Sequence, residues 1–170
     1  MDASIFIALA LASMGNQIWD SCTNDTSCFE KEMEPARLSL SVGRVRFRES
    51  FSESEIYLRY EFGRNYGGFQ PMAGISYASG DNSWAGVGVA WSVFENNGFY
   101  GDLSAMAGLY DLGGSIDLGA SVEFRSGLEI GYEWDSGRRL ALSIDHRSNA
   151  NLDPVNPGAE TIQIRFSQPF

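Results

Sequence analysis

Apolar and polar residues alternate one by one along most of this chain, in short runs broken by turn residues. That is the period of a β-strand whose two faces meet different surroundings. The pattern predicts eight strands, at about 37–47, 54–64, 68–78, 83–94, 98–110, 121–134, 138–148 and 159–170. In the sixth, Phe124, Leu128, Ile130, Tyr132 and Trp134 share one face, with Ser126 as the single exception. Glu123, Arg125, Glu129 and Glu133 occupy the other, with Gly127 and Gly131. The second sets Ile56, Leu58, Tyr60 and Phe62 against Glu55, Tyr57, Arg59 and Glu61, and the fourth sets Val87, Val89, Trp91 and Val93 against Gly86, Gly88, Ala90 and Ser92. The first strand is less regular. Its phase slips near Gly43, which predicts a bulge there or an earlier end.

Two architectures share this period. A soluble sandwich buries the apolar face, whereas a small membrane barrel turns it to lipid and fills its lumen with the charged one. Three features favour the barrel. Gly86, Gly88 and Ala90 suit a crowded interior, both charge signs recur on the polar face, and the last strand carries Ile162, Ile164 and Phe166 on one face and ends at Phe170. The even-numbered connections are tight (Arg64–Gly68, Glu95–Gly98, Asp135–Gly137) and the odd-numbered ones longer, notably about 111–120 and 149–158. The expected fold is therefore an all-β, eight-stranded antiparallel up-and-down transmembrane β-barrel over residues 37–170, with its short turns and both termini on the periplasmic side.

Composition agrees with this reading. Glycine is abundant at 19 residues, aromatics reach 13%, and Lys31 is the single lysine. A net charge of -10 leaves no basic stripe, which excludes nucleic acid as a partner. No apolar run is long enough for a transmembrane helix. Ile5–Ala12 reads as the core of a secretory signal, residues 1–13, although Asp2 stands where Lys or Arg is usual; a buried apolar segment is the alternative. Residues 14–36 are then a polar periplasmic tail, in which Cys22 and Cys28 would close a small disulfide loop. Two cysteines and one distant histidine make a metal site improbable, and no cofactor is expected.

The candidate chemistry lies in the last two strands. His146 and Ser148 continue the apolar face of Leu140, Leu142 and Ile144, and Glu160 shares parity with Ile162, Ile164 and Phe166. Three polar side chains are thus placed on a lipid-facing surface, where unpaired polarity is costly and mutual hydrogen bonding is the remedy. A base, a hydroxyl and a carboxylate are the components of an acyl-transfer site. Asn149 and Asn156, or amides of the Asn156-Pro157-Gly158 turn, are candidate oxyanion donors. Arg147 points inward by parity, and Arg48 is the clearest cation in the predicted outer loops.

The string His146-Arg147-Ser148-Asn149-Ala150, followed by Asn156-Pro157-Gly158 and Glu160, resembles the signature of the lipid A 3-O-deacylase (PagL) family of acyloxyacyl hydrolases. The resemblance extends more weakly from Arg37 to Phe170. It implies an exported enzyme of the Gram-negative outer membrane that hydrolyses the 3-O-linked 3-hydroxyacyl chain of lipid A. Ser148 would be its nucleophile, His146 its base and Glu160 the orienting acid. Asn156, and less directly Asn149, would stabilise the oxyanion. Lipid A within lipopolysaccharide would be the substrate and outer-membrane lipid the surroundings; a homodimer is a further expected partner arrangement. The rival readings are a non-enzymatic barrel with a structural or adhesion role, and an acyltransferase.

Overall fold

The computed structural model describes residues 12–19, 22–23, 31–114 and 116–170. Eight strands form a closed barrel: β1 (Arg37–Phe47), β2 (Ser50–Glu61), β3 (Gln70–Ala78), β4 (Ser83–Asn96), β5 (Phe99–Asp111), β6 (Val122–Glu133), β7 (Arg139–Ser148) and β8 (Ala159–Pro169). Each pairs antiparallel with its neighbours in sequence, and β8 closes the ring on β1. Closure leaves no unpaired edge, which hydrocarbon would not tolerate.

The apolar face points out and the charged face points in. Leu40, Val42, Ile56, Ile75, Val87, Leu109, Ile130, Leu142 and Ile164 are all exposed on the barrel wall. Inside, Arg125 lies between Glu55 and Asp145 at 2.7 Å from each, and Arg147 pairs with Glu55. Arg59 bridges Glu61 at 2.5 Å and Glu129 at 3.1 Å, and Arg165 also joins Glu129. Tyr57 and Trp84 fill the space beside Arg125, whose guanidinium lies 3.9 Å from the Tyr57 ring centre. Buried charges are tolerable only when paired in this way. This inversion rules out the soluble sandwich and makes the lumen a packed core. An aromatic rim at the end holding both barrel termini, with Phe99, Tyr132 and Trp134 in successive edge contacts, is typical of a membrane interface.

Several local expectations need correction. The first connection is a two-residue turn, Arg48-Glu49, because β2 begins at Ser50 and not near 54. The second spans 62–69 and carries Asn65–Tyr66, which pairs with Lys31–Glu32. Long and short connections therefore alternate only in the second half of the chain. The phase slip near Gly43 is also absent. Strand β1 keeps its alternation, so Val45 is buried at 4% while Arg44 and Arg46 take the outward positions after Val42. The apparent slip is a switch of the outer face from apolar to basic. The irregularity comes later, between Val45 and Arg46, where Ser52 of β2 is skipped. Gly43 itself is required by crowding: a Cβ there would lie 2.6 Å from Gln163 Cβ.

Residues 12–19 form a helix, α1, which includes Ser13 at the expected signal boundary. Met14 packs against Phe69 and Trp91 on the barrel wall, and Trp91 Nε1 donates to Ser13 Oγ at 3.0 Å. Cys22 is disulfide-bonded. The rest of the expected signal, residues 1–11, and Cys28 lie outside the described residues.

Candidate active site

At the end of the barrel opposite its termini, β6, β7 and β8 bring a row of polar side chains onto the apolar outer wall. His146 is the register partner of Ser126 on β6 and of Glu160 on β8. Ser148 lies two residues further along β7, opposite Phe124. Directly paired side chains of an antiparallel ladder share one face, so Ser126, His146 and Glu160 form a line across three strands.

His146 Nδ1 is 3.8 Å from Glu160 Oε1, a charge-pair distance still too long for a hydrogen bond. His146 Nε2 is buried and accepts no hydrogen bond. The ring thus has its Nδ1 edge toward the carboxylate and its other nitrogen unengaged, the polarity required of a general base. His146 and Ser148 are each only 6% exposed although their face is the lipid-facing one. Gly158 lies against the imidazole of His146. Its φ of 65° is a left-handed conformation, and a Cβ at this position would lie 2.9 Å from His146 Cε1.

The 149–158 loop is knitted by asparagines. Asn149 is fully buried; its Nδ2 donates to Leu118 O at 3.1 Å and Val155 O at 2.8 Å, and its Oδ1 accepts from Asn151 N at 2.9 Å. The Asn149 amide N–H donates to Asn156 Oδ1 at 3.1 Å, and Asn156 Nδ2 donates to Asn151 Oδ1 at 3.0 Å. Leu152 N closes a turn on Asn149 O at 3.0 Å, with Ala150 and Asn151 both at positive φ. Two left-handed residues in succession make this a type I′ turn. The side chain of Asn149 therefore ties the 149–158 loop to the 112–121 loop, while Asn156 keeps one amide hydrogen uncommitted.

The register sets Glu160 beside His146 and Ser148 two residues further along the same face, with Asn149 and Asn156 in the adjoining loop; Arg147 is directed into the lumen toward Glu55. Ser126 was visible only as a flaw in an apolar face; its meaning depends on being next to His146. Among the described residues, no group of three or more His, Cys, Asp or Glu side chains is arranged to hold a metal ion.

A family model described as lipid A 3-O-deacylase (PagL) matches residues 44–169. The chain belongs to the lipid A 3-O-deacylase (PagL) family. As a member, it is an outer-membrane β-barrel of the Gram-negative type, and the family connects it with lipid A deacylation. Among solved structures, the outer membrane enzyme PagL is similar at a TM-score of 0.62 and 20% identity, covering 79% of this chain and 99% of that one. A de novo designed transmembrane β-barrel gives 0.60 at 9% identity, with 82% and 98% covered. Neisserial surface protein A gives 0.57 at 11% identity, with 83% and 99% covered. These likenesses concern the fold: the designed barrel and the surface protein match almost as well as the enzyme. No curated protein matches the chain.

Proposed function

We propose that this protein is a serine esterase that removes the 3-O-linked 3-hydroxyacyl chain of lipid A, with Ser148 as nucleophile, His146 as base and Glu160 as orienting acid. The observation that carries the reading is the His146–Glu160 pair, which stands on the lipid-facing wall with Nε2 left unengaged. A site there can receive an ester from a lipid that stays in the outer leaflet. Ser148 Oγ attacks the ester carbonyl carbon while its proton passes to His146 Nε2. The negative charge moves to the carbonyl oxygen, where the free Asn156 amide hydrogen and the Gly158 N–H are the candidate donors. Asn149 acts by holding the loop, since its side-chain amide is already engaged. Collapse of the intermediate releases the sugar hydroxyl, which takes the proton back from His146. Water then attacks the acyl-enzyme and gives a proton to His146, which passes it to Ser148 Oγ as the bond to the 3-hydroxy fatty acid breaks.

Glu160 accepts from the imidazole N–H at Nδ1 and stabilises the imidazolium formed in each half-reaction. The 3.8 Å gap closes by a small shift when substrate binds, as catalytic hydrogen bonds commonly do.

Mass spectrometry of lipid A incubated with the purified protein tests this. The expected product has lost one 3-hydroxyacyl group, and Ser148→Ala or His146→Asn abolishes the loss. A lipid that gains mass would make the protein a transferase, and unchanged lipid would leave a structural barrel.

A further inference from the structure

Arg44 and Arg46 stand on the outer wall beside the proposed site. Barrel closure pairs Glu160 with Arg46 and Ile162 with Arg44, so the row from Ser126 through His146 and Glu160 continues onto Arg46. Adjacent strands are about 4.8 Å apart, which puts the Arg46 backbone roughly 10 Å from that of His146. Arg48 follows in the β1–β2 turn, its guanidinium 5.2 Å from the Phe47 ring centre.

These arginines differ from the lumenal ones in having no carboxylate partner among the described residues. Arg37, Arg59, Arg125, Arg139, Arg147 and Arg165 each have a carboxylate partner inside the barrel. Arg44 and Arg46 make no ion pair with any described residue, although the chain carries 22 acidic residues. Glu160, directly across from Arg46, is turned toward His146 instead. An unpaired guanidinium on a lipid-facing strand is costly unless an anion at the membrane surface meets it. Next to the pair, Arg44, Phe51 and Ile162 line a mostly apolar furrow of about 390 Å³ on the barrel exterior. A cationic edge above an apolar furrow matches an anionic headgroup above an acyl chain.

We infer that Arg44 and Arg46 form the subsite that holds a phosphate of the lipid headgroup while the furrow at Phe51 and Ile162 takes an acyl chain. This rests on the deacylase reading of the same site and adds to it the place where the headgroup phosphate is held. Guanidinium groups suit this task because their donors form paired hydrogen bonds with phosphate oxygens. Anchoring the phosphate two strands from His146 would present the neighbouring sugar ester to Ser148.

The test compares two substrates in detergent micelles: lipid A phosphorylated on the acylated glucosamine and the same lipid dephosphorylated there. The wild-type protein should prefer the phosphorylated form in kcat/KM. In R44Q/R46Q that preference should fall about tenfold, the scale of a lost charge-assisted hydrogen bond. R44K/R46K should recover part of it, and R138Q, at the opposite end of the barrel, should keep it. An unaltered preference in R44Q/R46Q, or an equal fall in R138Q, overturns the assignment. Micelle binding by S148A protein, with and without the two arginine changes, reads the subsite without turnover. Weaker binding of the phosphorylated lipid after the arginine changes supports it; equal binding overturns it. Release of that lipid by low-millimolar inorganic phosphate would make this a free-phosphate site and also overturn it. Arginine-dependent binding without any deacylation by the wild-type protein would sink the hydrolase reading and leave the phosphate subsite standing.

Discussion

Glu160 faces His146 across the β7–β8 pairing, with its Oε1 3.8 Å from Nδ1 and the opposite ring nitrogen buried and unengaged. The pair is held by strand register and not by loop conformation, which fixes which ring edge meets the acid. Glu160→Ala should lower kcat on lipid A by roughly 10²–10⁴-fold with little change in KM, since the carboxylate acts mainly on the transient imidazolium. Time courses of fatty acid release check this. An undiminished kcat would remove Glu160 from the mechanism.

Ser126 flanks the imidazole from the β6 side. Ser126→Leu restores an uninterrupted apolar face and so suits the membrane, yet it crowds His146. Activity should fall on the order of 10²-fold, the cost of a small misplacement of a reacting group. Heat-dependent gel migration should show the barrel still folded. A fully active Leu variant would mean that the ring tolerates a bulky neighbour.

Asn149 carries the join between two loops. Asn149→Ala strips the donor from Leu118 O and Val155 O, at about 1–3 kcal/mol for the buried Leu118 carbonyl and less for the partly exposed Val155 one. Limited proteolysis should then cut within 112–121 or 149–158 while the barrel survives. Equal protease resistance in the variant would show that other contacts hold the loops.

Gly158 combines a left-handed φ of 65° with close contact to the imidazole. Gly158→Ala adds about 1–2 kcal/mol of backbone strain and pushes on Cε1, so kcat should drop with folding largely preserved. Full activity would show that the turn can open at no cost to the ring.

Arg125 is sealed in the lumen between Glu55 and Asp145. Arg125→Met leaves two buried carboxylates short of a cation, which should cost about 3–5 kcal/mol. The temperature at which the folded gel band is lost should fall clearly. An unshifted transition would mean that Arg147, Arg165 or Gln163 makes up the loss.

The strands and their facing could be read from the chain itself, because alternation in a barrel is a local property with a period of two. Phe124, Ile130 and Tyr132 against Glu123, Arg125 and Glu129 need no partner strand to reveal their sides. The same logic put His146, Ser148 and Glu160 on the outer wall. Turn lengths at Arg48–Glu49 were less legible, since Ser50-Phe51-Ser52-Glu53 has too few apolar residues to show that β2 had already begun.

Neighbourhood across the ring belongs to the tertiary structure. Alternation says which side a residue faces but not what stands beside it, and only register decides that Ser126 and Glu160 flank His146. Arg44 and Arg46 illustrate this best: in sequence they looked like a strand losing its phase. Closure of β8 onto β1 sets them on the outer wall beside the candidate site, because the hydrogen-bond ladder aligns residues from opposite ends of the barrel sequence.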